Sequence, residues 1–376
     1  MRDGEVGNRI GERHGVSAPC FEFKTTAHLR RAARQDYNNP QRFLSLRMAI
    51  MAAAANFVGL DVGGTTMKAA VVDGNGNVFP DVALRTNPER GQEAGLVTMG
   101  ETIRRAIAAA ELTPPDIAAI GVATPGLMDI RAGLILDPPN LKPWKNVPVR
   151  DRIAAMFGKP TAFQNDANAA AFGEKWTGAG RGAHSMVMFT LGTGVGGGII
   201  VGDTIIEGKH SHGGELGHLR IDMPDRGRLC GCGARGCLEA YASATAVTRR
   251  AREEMASWRG PTELKDFYTV NDDELTAKVI FDLALAGDDC AMKVVDDTAY
   301  YLALGACAAI ATVDPEVIVF GGGMTDAGEW FRAKIDADVR RYALPFPAKS
   351  VRIVFAELGS NAGFIGAAAC AKLLVG

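Results

Sequence analysis

The sequence has almost no excess charge of either sign. Its 41 Lys and Arg face 43 Asp and Glu, leaving −2 over 376 residues. That balance argues against nucleic acid or an anionic membrane as the main partner. A disulfide framework is also missing. The seven cysteines are odd in number; Cys230, Cys232 and Cys237 crowd into eight residues, while Cys20, Cys290, Cys307 and Cys370 are scattered. Such usage suits a reducing compartment, and a cytoplasmic location is expected. No run reads as a membrane span. The most apolar stretch, residues 185–202, is broken by Gly192, Gly194 and Gly196-Gly197-Gly198 and reads as strand, turn, strand. Nor does the chain hold a Gly-x4-Gly-Lys-Ser/Thr phosphate loop, or a glycine turn leading straight into a helix in the Rossmann manner.

Glycine is what the chain has in excess: 45 residues, about 12%, against a usual level of roughly 7%. Apolar residues make up 47%, enough for a large core, and the length suggests two domains. Residues 1–50 stand apart, with nine basic and five acidic side chains and no sustained apolar period. They lack the apolar region of a secretory signal. Residues 1–55 are therefore expected to be an extension without fixed structure, or to follow from a start placed too early, since Met48 and Met51 precede the first strand.

The glycines cluster. Phe57-Val58-Gly59-Leu60-Asp61 reads as a strand ending in an acid; Gly63, Gly64, Thr65 and Thr66 form a tight turn; and a second strand follows over 67–72. Such a turn lets backbone N–H groups converge on an anion without a Cβ in the way. Asp61 at the strand mouth could hold a hydrated Mg²⁺. A structural hairpin is the plainer reading. The unit recurs 131 positions later, where 187–191 lead into Gly192, Thr193, Gly194 and the following glycines, then a returning strand. Two such units a domain apart suggest a duplicated architecture with one phosphate grip per half. A third run, Gly321, Gly322 and Gly323, ends the apolar strand at 317–320, where α/β sheets usually bind ligands and a flat base could lie against bare backbone. A sharp turn would look the same.

Asn165 and Asp166 stand between a strand end and an Ala-rich helix over 167–176. Either is a good N-cap, but capping needs only one of them. A carboxylate here should stay ionised at the helix N-terminus, and it could accept a proton from a substrate hydroxyl during phosphoryl transfer. Cap and catalyst both remain open. Cys230, Cys232 and Cys237 in a glycine-rich loop suit a Cys3His structural Zn²⁺ site, with His218 the nearest fourth ligand and His210 and His212 as competitors. That loop carries Glu215, His218 and Glu239, acceptors of the kind that read sugar hydroxyls.

In combination these motifs resemble the ROK family of sugar kinases and repressors, and within it the bacterial glucokinases. The resemblance rests on residues 60–66, 123–126, 165–170, 192–198, 214–218 and Cys230-x-Cys232-Gly233-x-x-Gly236-Cys237-x-Glu239, in the family's order. It implies an α/β fold of two actin-like ATPase (ribonuclease H-like) domains with a central cleft. The expected limits are 56–165, with a C-terminal helix at about 361–376 packing back onto it, and 166–360 with the zinc loop. It further implies ATP- and Mg²⁺-dependent phosphorylation of a hexose, D-glucose first, at the 6-hydroxyl. Asp166 matches the base; Asn165, Glu215, His218 and Glu239 match sugar ligands, and Asn140 a further one. Cys230, Cys232, Cys237 and His218 match zinc ligands. Gly63, Gly64, Thr65 and Thr66 match one phosphate loop, Gly192, Thr193 and Gly194 the other, and Gly321, Gly322 and Gly323 the adenosine motif. A homodimer is implied too. The alternatives are another hexose (mannose, fructose or an N-acetylhexosamine), polyphosphate as donor, and a sugar-responsive repressor. Residues 1–50 show no pair of amphipathic helices that a repressor's DNA-binding module would need.

Overall fold

The computed structural model describes residues 55–270 and 274–375, so all but the last residue of the expected extension lies outside the described residues. Two five-stranded sheets organise the rest, and they repeat one topology. In the first, β1 (Asn56–Val62) turns back into antiparallel β2 (Thr66–Asp73), which pairs with β3 (Val82–Arg85). Helix α1 (Gln92–Ala109) crosses to β4 (Ile117–Thr124), parallel to β1. A small hairpin, β5 (Leu127–Asp129) and β6 (Leu134–Asp137), and helix α2 (Val149–Phe157) lead to β7 (Thr161–Asn165), parallel to β4. The order is β3-β2-β1-β4-β7.

The second sheet follows α3 (Asp166–Trp176). Strand β8 (Ser185–Leu191) turns into antiparallel β9 (Val195–Val201), followed by β10 (Thr204–Ile205). Helices α4 (Glu239–Ala242), α5 (Ala244–Ser257), α6 (Leu264–Val270), α7 (Ala277–Leu285) and α8 (Asp289–Val313) precede β11 (Val317–Gly321), parallel to β8. Then α9 (Glu329–Tyr342) and α10 (Pro345–Ala348) lead to β12 (Arg352–Phe355), parallel to β11. The order β10-β9-β8-β11-β12 copies that of the first sheet, strand for strand. The duplication read from two glycine turns is therefore a duplication of whole sheets.

The central strands β1, β4, β8 and β11 are buried nearly throughout, as continuous apolar runs covered on both faces should be. Helix α8 is capped by Asp288, whose side chain accepts the Ala291 N–H, and buries Val295, Ala299, Leu302, Ala306 and Ile310 in the second core. By length and composition it could cross a bilayer, a property the reading of residues 185–202 passed over. Its apolar face is instead packed with Phe189 and Phe320. One turn is shorter than expected. Gly196, Gly197 and Gly198 belong to β9, paired with Thr190, Phe189 and Met188, and the turn itself is 192–194. Small residues are needed on both faces: α3 covers one, where a Cβ on Gly198 would stand 2.6 Å from the Ala171 Cβ, and on the other a Cβ on Gly197 would stand 2.5 Å from Leu216 Cδ1.

The last helix, α11 (Ala362–Lys372), joins the two halves. It packs on β1 and β4 on one side and along α3 on the other. The approach is backbone to backbone: a Cβ on Gly121 would lie 1.8 Å from the Ala367 carbonyl oxygen, and one on Gly366 1.6 Å from that of Ala169. Glu174 locks the same region. Fully buried in α3, it accepts the N–H groups of Ala179 at 2.8 Å, Leu358 at 2.8 Å and Glu357 at 3.2 Å. Helix α3, with Asp166 at its first position, is thereby fixed against both sheets.

Candidate active site

A cleft of about 1090 Å³ opens where the carboxyl ends of the two sets of strands face each other. That is where an open α/β sheet leaves room for a ligand. Asp61, Gly63, Asn140, Asn165, Asp166, Gly192, Thr193, Gly194, Glu215, His218, Glu239, Gly322 and Gly323 all line it. Gly64, Thr65, Thr66 and Gly321 do not. Gly64 backs onto Asn140, Thr65 and Thr66 are exposed at the start of β2, and Gly321 is buried inside β11.

The junction before α3 divides the two polar residues by task. Asn165 is the N-cap: its Oδ1 accepts the N–H groups of Ala167 at 2.9 Å and Asn168 at 3.2 Å. Asp166 is left over at the first helical position, aimed at the cleft. Its Oδ1 takes the Ala167 N–H at 2.9 Å, and it receives a hydrogen bond from the Asn165 side chain. The helix N-terminus was expected to hold this carboxylate ionised. Burial outweighs it: desolvation pushes the Asp166 pKa above the ordinary carboxylate value, Glu215 adds to the rise, and the hydrogen bonds offset only part.

Asp61 has the same problem more acutely. It pairs in register with Lys68 at the mouth of β1, but burial first and the Asp166 charge second push it up to about 7. Lys68 acts the other way without cancelling the rise, and its Nζ also reaches Asn361 at 2.6 Å and Asp81 at 3.3 Å. A buried carboxylate raised by a neighbouring one, and only partly offset by Lys68, is a natural seat for a divalent ion.

The first glycine turn is closed by the Gly63 N–H to the Thr66 carbonyl at 2.9 Å and pinned by Thr86, whose hydroxyl donates to the Gly63 carbonyl at 2.7 Å. In the second turn, Glu239 does the pinning. Its Oε2 accepts the Val195 N–H at 3.0 Å, while Oε1 lies 3.5 Å from Cys230 Sγ. Glu239 thus ties the glycine turn to the cysteine loop.

The four residues His218, Cys230, Cys232 and Cys237 bring their ligand atoms within 4.8 Å of one another. The pairs Cys232–Cys237 and Cys230–His218 Nδ1 are each 3.7 Å apart. Bonds of about 2.3 Å to a tetrahedral Zn²⁺ would space sulfurs by roughly that distance. Three thiols and an imidazole nitrogen therefore fit zinc in donor type, number and spacing. Of the competing histidines, His212 lines the cleft and His210 is exposed; neither joins the cluster.

Other residues at the site escaped the sequence reading. Gln164 donates to Glu207 at 2.7 Å and accepts the Asn165 N–H, and Ser211 accepts the Ile130 N–H at 3.0 Å from across the cleft. The Gln164–Glu207 and Ser211–Ile130 contacts join positions 43 and 81 apart, and no local pattern marks them.

Sheet topology, cleft and paired glycine turns define the actin-like ATPase fold. Residues 57–373 match the model of the ROK family, and the chain belongs to that family. A glucokinase of Halalkalibacterium halodurans is 37% identical over 314 residues, 82% of this chain and 93% of that protein. The structure of a ROK hexokinase from Thermus thermophilus matches with a TM-score of 0.73 at 34% identity, over 85% of this chain and 99% of that one. A ROK family glucokinase from Streptomyces griseus, solved in complex with glucose and AMPPNP, matches with a TM-score of 0.68 at 31% identity, over 85% and 100%. By class the chain is a sugar kinase.

Proposed function

We propose that the chain transfers the γ-phosphoryl group of ATP to the 6-hydroxyl of D-glucose, with Asp166 as the base. The observation that carries this reading is the position of the Asp166 carboxylate. It is relieved of capping by Asn165 and faces a cleft lined by Asn140, Glu215, His218 and Glu239 and by two glycine turns. The likeness to a glucokinase solved with glucose and AMPPNP supports both substrates. Residues 56–165 and 166–360 are the two lobes in this reading, with α11 returning to the first.

Asn140, Asn165, Glu215, His218 and Glu239 would hold the sugar hydroxyls and aim the 6-oxygen at the γ-phosphorus. That oxygen forms the new P–O bond as the bond to the β,γ-bridging oxygen breaks and ADP leaves. The hydroxyl proton passes to the Asp166 carboxylate, whose raised proton affinity suits the receipt. Backbone N–H groups of the glycine turns that are not used in closing them, those of Thr193 and Gly194 among them, would receive charge developing on the phosphoryl oxygens, and Gly322 and Gly323 would lie against the adenosine. Asp61 would hold Mg²⁺, which when bound neutralises phosphate charge. Cys230, Cys232, Cys237 and His218 would hold a structural Zn²⁺ that orders the sugar loop.

Asp166→Ala tests the assignment. Turnover is expected to fall by about 10³-fold or more while glucose binding, read by calorimetry, persists. Near-normal turnover would remove Asp166 from the role of base. Glucose is expected to outperform mannose, fructose and N-acetylglucosamine at equal concentration with ATP, and ATP to outperform polyphosphate.

A further inference from the structure

A second concavity, of about 370 Å³, lies at the opposite end of α3, roughly 15 Å from Asp166 by helix rise. Its floor is apolar, built from Phe172 and Trp176 of α3 and from Ala369 and Leu373 at the end of the chain's last helix. Its rim sets three cations, Lys175, Arg181 and Lys372, against one carboxylate, Asp203. The size falls near the lower end of the roughly 300–1,000 Å³ usual for small-molecule sites.

The three cations are not equivalent. Lys372 is already engaged: its Nζ lies 4.9 Å over the Trp176 ring and donates to the Gly74 carbonyl at 2.7 Å. Lys175 and Lys372 also stand in the last turns of their helices, where cations offset the terminal carbonyls. Arg181 has neither duty. Its guanidinium has no hydrogen-bonding or ion-pair partner among the described residues.

Yet the loop that carries Arg181 is fixed. The Gly178 and Gly180 N–H groups reach the Glu174 carbonyl at 3.1 and 3.0 Å, Ala179 reaches the Glu174 carboxylate, and the Arg181 N–H reaches the Gly178 carbonyl at 3.0 Å. A free guanidinium on a held loop, beside an apolar floor and the Lys175 ammonium, is a preorganised receptor for an anion carrying a flat ring.

We propose that this pocket binds a small organic anion with an aromatic body, an aryl phosphate, sulfonate or carboxylate, its ring on the apolar floor of Phe172, Trp176 and Leu373 and its charge on Arg181 and Lys175. This binding is independent of the kinase reading and is measured without turnover.

Phenyl phosphate is the probe, titrated by calorimetry into the full chain, with inorganic phosphate and benzyl alcohol testing charge alone and ring alone. Saturable binding is expected for phenyl phosphate, at least tenfold tighter than for either partial probe. Arg181→Ala should weaken it at least tenfold and Lys175→Ala with Arg181→Ala should abolish it, with thermal midpoint and sugar phosphorylation unchanged. Identical isotherms in wild type and double variant would assign the binding elsewhere and overturn the proposal. So would benzyl alcohol binding as tightly as phenyl phosphate, or no saturable binding of the probe at all.

Discussion

Asp61 and Asp166 show how burial changes the proton affinity of a residue type that is ordinarily ionised. Both are buried acids near the same cleft, and both hold their protons more tightly than a free carboxylate. For Asp61 the consequence is measurable. An acid whose folded pKa stands above its unfolded value binds more protons in the native state, so stability falls as pH rises between about 4 and 7. Asp61→Asn removes that loss. Denaturant midpoints should show the variant more stable than wild type at pH 8, by up to about 4 kcal/mol, with the gap closing near pH 3.5. A variant less stable at pH 8 would contradict the burial argument. Asp61 and Asp166 were both legible in the sequence because each sits beside a local signal, a glycine turn or a helix start. Their raised proton affinity was not, since it depends on what covers them. Glu174 marks the limit: its partners at 357 and 358 lie more than 180 positions away, and no local pattern points to it.

Among the elements, the cysteine loop and the α3–α11 crossing carry the clearest consequences. Glu239 joins the cysteine cluster to the second glycine turn, so if the cluster holds zinc as proposed, losing the metal should disorder both the proposed sugar ligands and that turn. Chelated protein, verified metal-free by elemental analysis, is expected to lose glucose binding and phosphorylation together. Full activity in that protein would contradict the structural role. The glycines divide in a way composition alone hides. Gly366→Ala must push α11 off the Ala169 carbonyl and should cost about 3 kcal/mol or more, or prevent folding. Gly192 has nothing within 4 Å of the added Cβ, so Gly192→Ala should keep its melting temperature while weakening ATP binding. Equal melting temperatures for the two variants would refute the distinction. Motif spacing located both glycine turns but extended the second through 198, because a run of glycine reads as a turn when the helix packed over it is out of view.

On the scale of the whole molecule, the repeated sheet order explains why two similar turns stand 131 positions apart and face one cleft. The fold was legible because the duplicated units are local and the central strands are continuously apolar. The clasp formed by Ser211 and Ile130, and the pocket behind α3, were not, because each is assembled from distant segments. The proposed hexose 6-phosphorylation would need all of it at once: two phosphate grips, a positioned base and a sugar loop held by a metal. Incubation of the purified chain with ATP, Mg²⁺ and D-glucose, followed by NMR of the product, tests that claim most directly. The expected product is glucose bearing one phosphate on the oxygen of carbon 6, formed in step with ADP. Phosphate at another position, or ADP released with glucose unchanged, would contradict it.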